Sequence, residues 1–448
     1  MRWVASPSSS LPDVSSSTLG NKIKVVVHTN AFDSISFRFG QSQFVMPFKI
    51  AIIGAGPSGC MLARLLHLTN IETTIFEAEV SCNFRNQGGT LDLSKSGIAA
   101  IKAAGLYDEY VKLCRFDGSA LGVCDKKAHC YFQIGASGHG NPEIDRSELR
   151  SLLANSLPER MIRWNHRLRR VDENLDLHFN NSTETGFDLV VGAEGAWSKV
   201  RSVLSEENPF FSGVAGYQFS IPNAAENAPD VSKKLNRGSI FAYSDGKAII
   251  GQQMGDESIH VSAWLRQDKD PYPLGTKTIP PTKEEISKSF NDWSPELLRF
   301  IQAACGEITC RALYMLPVGF KWQHQKGVTL LGDAAHLMTP FAGVGVNIAF
   351  EDAMKLAVAI IDAAKDGKEA LHARVRDFEK DMFVRAEKAE RLTSGMMRDV
   401  LFTEGEPRVA SWVLRRIAYE THPLLRPFLY PLVAALVYGA LFWTNLSR

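Results

Sequence analysis

Three glycine-bearing turns, each fed by an apolar run, hold the residue types that can bind a phosphorylated dinucleotide. The first is Gly54-Ala-Gly56-Pro-Ser-Gly59, directly after Phe48–Ile53. Gly54 permits the tight turn, Gly56 lets backbone approach a pyrophosphate, and Gly59 allows close helix–strand packing. A helix opening at Pro57 presents free N–H groups and the positive end of its dipole to phosphate. Glu77, closing the next β-branched segment, can accept hydrogen bonds from ribose hydroxyls. The motif does not say which dinucleotide is bound, and a glycine-rich turn of another α/β fold is its bland alternative.

The second turn is Gly332-Asp333-Ala334-Ala335-His336, continued by Pro340-Phe-Ala-Gly343-Val-Gly345-Val-Asn347. A strand delivers Asp333, whose carboxylate can hold a ribityl or ribose hydroxyl. The glycine loop then opens a helix whose N-terminus can stabilise negative charge on a ring edge, as a reduced flavin requires. The third turn, Asp188-Leu-Val-Val-Gly192-Ala-Glu194-Gly195 with Ser198 and Arg201 beyond it, reads on its own as a strand ending in a turn.

The elements that must position these turns follow from periodicity. FKIAII, a helix with Met61, Leu62, Leu65 and Leu66 on its apolar face, and ETTIFE form a βαβ unit. Residues 145–157 have helical spacing, and 187–193 read as a buried strand. From about 206 to 325 the chain turns to strands; Ile259, Val261, Ala263 and Leu265 alternate with His260, Ser262 and Trp264, which predicts a half-buried antiparallel strand. Ser294 and Pro295 are expected to cap and open a helix, and Val346–Ala364 has helical spacing. The nucleotide-binding parts thus flank a mostly β insert.

Taken in order, the three turns resemble the dinucleotide, DG and GD motifs of class A, para-hydroxybenzoate hydroxylase-like flavin monooxygenases, over about residues 48–395. The segments Arg85-Asn-Gln-Gly-Gly-Thr-Leu-Asp92-Leu, Asn141-Pro-Glu-Ile-Asp-Arg146-Ser-Glu-Leu-Arg150 and Gly332 to Gly343 are closer still to the tetracycline-inactivating subgroup. A member of natural-product biosynthesis fits the same resemblance. It implies an α/β protein: a Rossmann-like FAD-binding domain of 46–205 and 326–400, an inserted β-sheet substrate domain of 206–325, and C-terminal helices over 401–448.

The resemblance also implies roles. Asp92, Arg146 and Asp333 contact FAD, Glu77 holds the adenosine ribose, Arg85 contacts NADPH, and Gly343, Gly345 and Asn347 line the isoalloxazine. NAD(P)H (NADPH or NADH) reduces the flavin, and O₂ supplies the atom given to an aromatic or polycyclic small molecule by hydroxylation, epoxidation or ring insertion. No side chain is assigned as a catalytic base. The β insert should roof the flavin, with Gln218 and Phe241 as substrate contacts and Phe219, Tyr243, Met254 and Trp264 as further candidates. Three departures stand out: Glu194 where the DG motif has Asp, Thr339 where the subgroup often has Pro, and the apolar tail. A flavin-dependent dehydrogenase or oxidase, and a non-catalytic flavin scaffold, remain the competing readings.

Composition agrees with an enzyme acting on small molecules. The 448 residues are 45% hydrophobic and 22% charged, and 50 basic against 49 acidic residues give no electrostatic reason for a nucleic-acid partner. The seven cysteines are odd in number and form no C-x-x-C, so neither a disulfide framework nor a metal site is expected, and free thiols suit a reducing cytoplasm. Residues 1–45, Ser-rich without a secretory apolar core, read as a disordered or non-native extension; a transit peptide and a start at Met46 are the alternatives. Residues 427–443 lack charge and are expected either to attach to a membrane or to pack on the core. Oligomeric state is left open.

Overall fold

The computed structural model describes residues 48–81, 88–116, 118, 120–134, 142–273, 275–276, 278–422 and 424–446. The first part runs β1 (Lys49–Ile53), α1 (Pro57–His67), β2 (Glu72–Phe76), β3 (Thr90–Asp92), α2 (Lys95–Ala103), α3 (Tyr107–Leu113), β4 (Leu121–Cys124), β5 (Cys130–Ile134) and β6 (Glu143–Asp145). Next come α4 (Arg146–Asn155), β7 (Ile162–Arg163), β8 (Leu168–Val171), β9 (Leu177–Phe179), β10 (Thr183–Glu184), β11 (Leu189–Gly192) and α5 (Arg201–Leu204). The insert holds β12 (Phe210–Ile221), α6 (Ala224–Asn227), α7 (Pro229–Leu235), β13 (Ser239–Ser244), β14 (Lys247–Gln253), β15 (Ile259–Arg266), α8 (Lys283–Lys288), α9 (Pro295–Gln302) and β16 (Cys305–Met315). The chain closes with β17 (Val328–Leu330), α10 (Asp333–His336), α11 (Gly345–Asp366), α12 (Lys368–Leu401), α13 (Val409–Glu420) and α14 (Arg426–Leu446).

The βαβ expectation holds. Strands β17-β11-β1-β2-β7 form a parallel sheet, with Ile50–Ile53 in register with Leu189–Gly192 on one side and Thr73–Phe76 on the other. Such strands are covered on both faces, which is why they read as unbroken apolar runs rather than alternations. The largest core packs Ile50, Ile52, Leu62, Leu66 and Ile75 with Phe350, Leu356 and Ile360 of α11. The segment after the insert therefore packs into the same core as the first βαβ unit.

The second sheet has seven strands in the order β16-β12-β15-β14-β13-β4-β5. Its outer strands β4 and β5 come from residues 121–134, inside the segment assigned from sequence to the first domain. A parallel pairing of β4 with β13 recruits them, a long-range register that local pattern does not encode. One face packs on α7, α8 and α9 through Leu235, Ile286, Phe290, Leu297 and Phe300. Gly251 on β14 has no room for a Cβ because the Phe300 ring lies against it. The other face gathers Val123, Tyr243, Ile250, Trp264 and Met315 with Met397 and Leu401 of α12 and Val409 of α13.

Strand β15 is thus covered on both faces and mostly buried, not half-exposed as its alternation suggested. α9 starts at Pro295 as expected, but Ser294 makes no side-chain cap bond. The 34-residue α12, mean-polar along its length, was not foreseen. Cys124 and Cys130 are paired as a disulfide across the β4–β5 hairpin, which corrects the expectation of free thiols only; Cys114, Cys305 and Cys310 are free. Among the described residues, no helix is long and apolar enough to cross a membrane, and no cluster of His, Cys, Asp and Glu has metal-ligating geometry.

Candidate active site

At the end of β1, Gly54 takes φ +106°, and a Cβ there would lie 2.5 Å from the Ala193 carbonyl oxygen. A Cβ on Gly59 would overlap the Gly54 carbonyl oxygen. Gly56 is different: its missing Cβ would meet only Ala193 O, at 3.9 Å, so one side of the turn is open. Gly56 caps α1 without a side-chain bond, and the first-turn N–H groups keep their donors. The three glycines therefore split into two required by packing and one that leaves space for a ligand. Glu77 is buried behind this turn, accepting from Ala55 N at 2.6 Å and Glu79 N at 2.9 Å, so its carboxylate braces the loop itself. Arg150 adds an ion pair to Glu79 at 2.8 Å.

The GD and DG turns are tied together. Glu194 accepts from Lys199 N and Val200 N through one oxygen, at 2.8 and 2.9 Å, and burial raises its carboxyl pKa. The longer Glu thus folds back on its own turn. Arg201, 2% exposed, donates to the Ala334 carbonyl at 3.0 Å and the Ala196 carbonyl at 2.6 Å. It fastens the residue after Asp333 to the DG turn. The sequence alone gives Arg201 no role, because only the fold brings Ala196 and Ala334 within reach of one guanidinium.

Asp92, Arg146 and Asp333 share an unusual setting. Each is open to solvent, yet each is crowded enough by protein that desolvation shifts its pKa, upward for the two carboxyls and downward for the guanidinium. Groups that are both accessible and surrounded line a cleft. Arg146 and Asp333 feel each other's charge, and Arg416 and Arg115 partly offset the shift at Asp92. Beyond Asp333, Gly343 (φ +63°) and Gly345 have nothing within 4 Å of the Cβ position, so the loop before α11 is also open. Asn347 is not: its amide donates to Asp92 O at 2.9 Å and accepts from Ser94 N at 2.8 Å, clamping α11 to the end of β3. Arg85 lies outside the described residues.

His336 is buried beneath the GD turn. Burial opposes its charging, but Asp352 at 2.5 Å outweighs that and raises its pKa. Arg385 holds the other Asp352 oxygen at 2.9 Å.

On the sheet, β12 and β15 pair Gln218 with Ser262, and β13 and β14 pair Phe241 with Ile250. Both substrate candidates lie on the face that carries Trp264 and Ile250. Phe219 is on the opposite face among the helices, and Tyr243 is a core residue 2% exposed. Met254 sits past the end of β14, its N–H bonded to Ser258 O, and Trp264 is packed in the core. Sequence reading missed two further groups on this face. Arg311 donates to Gln218 Oε1 at 3.3 Å. His260, next along from Ser262, is lowered to about 4 by burial, with Arg146 and Arg311 adding to it, and stays neutral at pH 7. A polar line, Gln218–Arg311–His260–Arg146–Asp333, therefore runs from sheet to GD turn. The alternation of β15 had put His260 on its polar side, but not on a covered one.

Known proteins agree with this architecture. The family described as FAD binding domain matches residues 48–381. The chain belongs to that family. Among curated relatives, monooxygenase penA of Penicillium thymicola is 30% identical over 412 residues, covering 77% of this chain and 94% of that protein. Salicylate hydroxylase of Pseudomonas putida is 26% identical over 345 residues, covering 71% and 78%. The crystal structure of tetracycline destructase Tet(51) superposes with a TM-score of 0.62 at 19% identity, over 84% of this chain and 98% of that one, which shows a shared fold. The protein is an FAD-dependent monooxygenase of a family whose reductant is NAD(P)H. The open Gly56, Gly343 and Gly345 positions and the uncapped α1 suit a dinucleotide bearing a flavin ring.

Proposed function

We propose that this monooxygenase oxygenates an aromatic or polycyclic small molecule held between the seven-stranded sheet and the Pro340–Gly345 loop. One observation carries the reading. Phe341 of that loop packs in the same apolar cluster as Phe132, Phe241, Ile250 and Trp264 of the sheet, so the sheet surface facing the loop is rich in aromatic rings. A pocket of that lining, with a few polar groups at one end, suits a flat organic ligand. The name of the Pseudomonas relative, a salicylate hydroxylase, supports a hydroxylated aromatic.

In this reading the turn shaped by Gly54 and Gly59 offers its open Gly56 side to the pyrophosphate, Glu77 supports that turn and an adenosine ribose beside it, and Asp333 and Arg146 hold the ribityl–phosphate stretch. Asp92 and Asn347 fix the loop of Gly343 and Gly345 along the ring, and Arg85 is assigned to NADPH. FAD held by these residues would supply the redox chemistry that links NAD(P)H oxidation to oxygenation of the substrate by O₂. The protein excludes water with the sheet and offers Gln218 and neutral His260 as hydrogen-bonding groups, with Phe241 as a ring contact. No side chain serves as nucleophile. The division into a discontinuous FAD domain (46–205, 326–400), a sheet domain (206–325) and C-terminal helices (401–448) belongs to the same proposal, as does an N-terminal extension over 1–45.

A cytoplasmic protein that touches membrane through its tail is the accompanying proposal. Phe428, Leu432 and Leu436 of α14 are 75%, 66% and 73% exposed, an apolar face that suits the interfacial region better than water. Flotation with liposomes that Leu432→Glu leaves unchanged would remove this support.

The main test is anaerobic reduction of the bound flavin by NADPH, with and without phenolic and enolic compounds of one to four rings. Acceleration by one class, followed by ¹⁸O incorporation from ¹⁸O₂, is expected. Fast reduction indifferent to every compound, with all electrons appearing as hydrogen peroxide, would refute the reading.

A further inference from the structure

Three residues at the end of β14 are stitched to the β3–β6 strand pair. The Gln252 amide donates to Thr90 Oγ1 at 3.1 Å, the Gln253 carbonyl accepts from Arg115 Nη2 at 2.5 Å, and the Gly255 N–H donates to the Asp145 carboxylate at 3.0 Å. Asp145 stands at the N-cap of α4 but makes no side-chain bond to that helix. Its carboxylate faces Gly255 instead, so closely that a Cβ on Gly255 would lie 3.1 Å from it. Arg115, just past α3, reaches furthest. The same Nη2 pairs with Glu143 at 2.7 Å, and Nη1 donates to the Arg237 carbonyl, ahead of β13, at 3.4 Å. The two ionic side chains are 14% and 9% exposed. Desolvation offsets most of what a covered pair contributes to stability, so its consequence is sought in geometry.

That geometry runs to the site from both sides. On the strand pair, Glu143 is the register partner of Asp92, and Asp92 O accepts from Asn347 at the start of α11. On the sheet, Gln252 is the register partner of His260. The His260 ring lies against the Gly88 backbone, where a Cβ would be 2.5 Å from Nδ1. We infer that Arg115 is a positioning residue: with Glu143 it latches the end of β14 to β3–β6 and so holds the seven-stranded sheet as a roof over the flavin. Asp145 is the second point of the same latch. The inference rests on the flavin placement proposed above.

The test uses the FAD-bound enzyme and iodide, a collisional quencher of flavin fluorescence, well below the melting temperature. R115M leaves Glu143 and the Gln253 carbonyl without their donor. D145A removes only the acceptor of Gly255 and costs α4 no cap. L297A is the control: Leu297 is buried on the helix-covered face of the sheet, outside the latch, and its loss leaves a cavity that lowers the melting temperature. The quenching constant should rise about 3-fold or more in R115M and about 2-fold in D145A, as a closed roof becomes partly open, while L297A stays near the wild-type value. If R115M and D145A both keep the wild-type constant, or if L297A raises it as much as they do, the latch falls while the flavin placement stands. If the wild-type flavin is quenched as readily as free FAD, placement and latch fall together. Should R115M fail to hold FAD, D145A decides alone.

Discussion

Replacing His260 by Gln should change how stability depends on pH, by an amount the structure sets. The imidazole is held at about 4 against an ordinary 6.5, by burial first and by Arg146 and Arg311 second. A folded pKa below the unfolded one means that the unfolded chain takes up a proton the folded chain refuses. Stability from this group is therefore intact above pH 6.5 and falls as pH drops towards 4. At pH 5 the loss works out at about 2 kcal/mol, and below pH 4 at about 3 kcal/mol. Other groups facing the site, Asp92, Asp145 and Asp333, titrate in both proteins and cancel in the difference. The assay is urea unfolding of the two proteins at pH 8 and pH 5 with a fixed excess of FAD. Wild type should lose about 2 kcal/mol more than His260→Gln over that interval. A histidine-labelled NMR titration gives the pKa directly. A difference below about 0.5 kcal/mol, or a resonance titrating near 6.5, would refute the covered, cation-flanked setting assigned to His260.

Three further outcomes follow from the same geometry. Arg201→Met removes two charged hydrogen bonds and leaves the Ala196 and Ala334 carbonyls unpaired; allowing for the relief of a buried charge, about 2–4 kcal/mol of stability should go, together with much of the FAD affinity, read by thermal melting and by release of flavin fluorescence. Gly59→Ala should abolish soluble holoenzyme because its methyl overlaps the Gly54 carbonyl, whereas Gly56→Ala should fold and lose FAD affinity alone, a contrast that equal behaviour of the two would disprove. Asp352→Asn breaks a fully buried pair and should cost about 3–5 kcal/mol. Because Asp352 raises the His336 pKa, the pair's contribution is complete below pH 6.5 and fades as pH rises through the raised value, so the alkaline decline in melting temperature should be steeper in wild type than in the variant.

What could be read without the fold was local. The Gly54-x-Gly56-x-x-Gly59 turn, the strands beside it and the helix after it are contiguous, and each residue type answers to a steric or electrostatic demand of its neighbours. The same holds for Asp333 and the open glycines Gly343 and Gly345. The match of three such segments to a family supplied the cofactor, which no single turn specifies.

What could not be read depends on register between distant segments. Alternation in β15 says that Ile259 and Val261 share one face and His260 and Ser262 the other, but both faces of a sheet can be covered. Only the pairing of β12 with β15 and β16 brings Arg311 to Gln218, and only packing against the first domain brings Arg146 to His260. Arg201 makes the same point from the other side: a lone arginine after a DG-type turn looks like a surface cation until Ala334, over a hundred residues on, is laid against it. α13 extends the argument. Its sequence is an ordinary amphipathic helix past the end of the family match, yet Trp412 packs between the sheet and loop clusters and Arg416 bonds the Ala342 carbonyl. The cofactor-facing side of this enzyme is thus written in short motifs, and the substrate-facing side in contacts between segments that no motif joins. Relatives can therefore share the first closely while differing in the second.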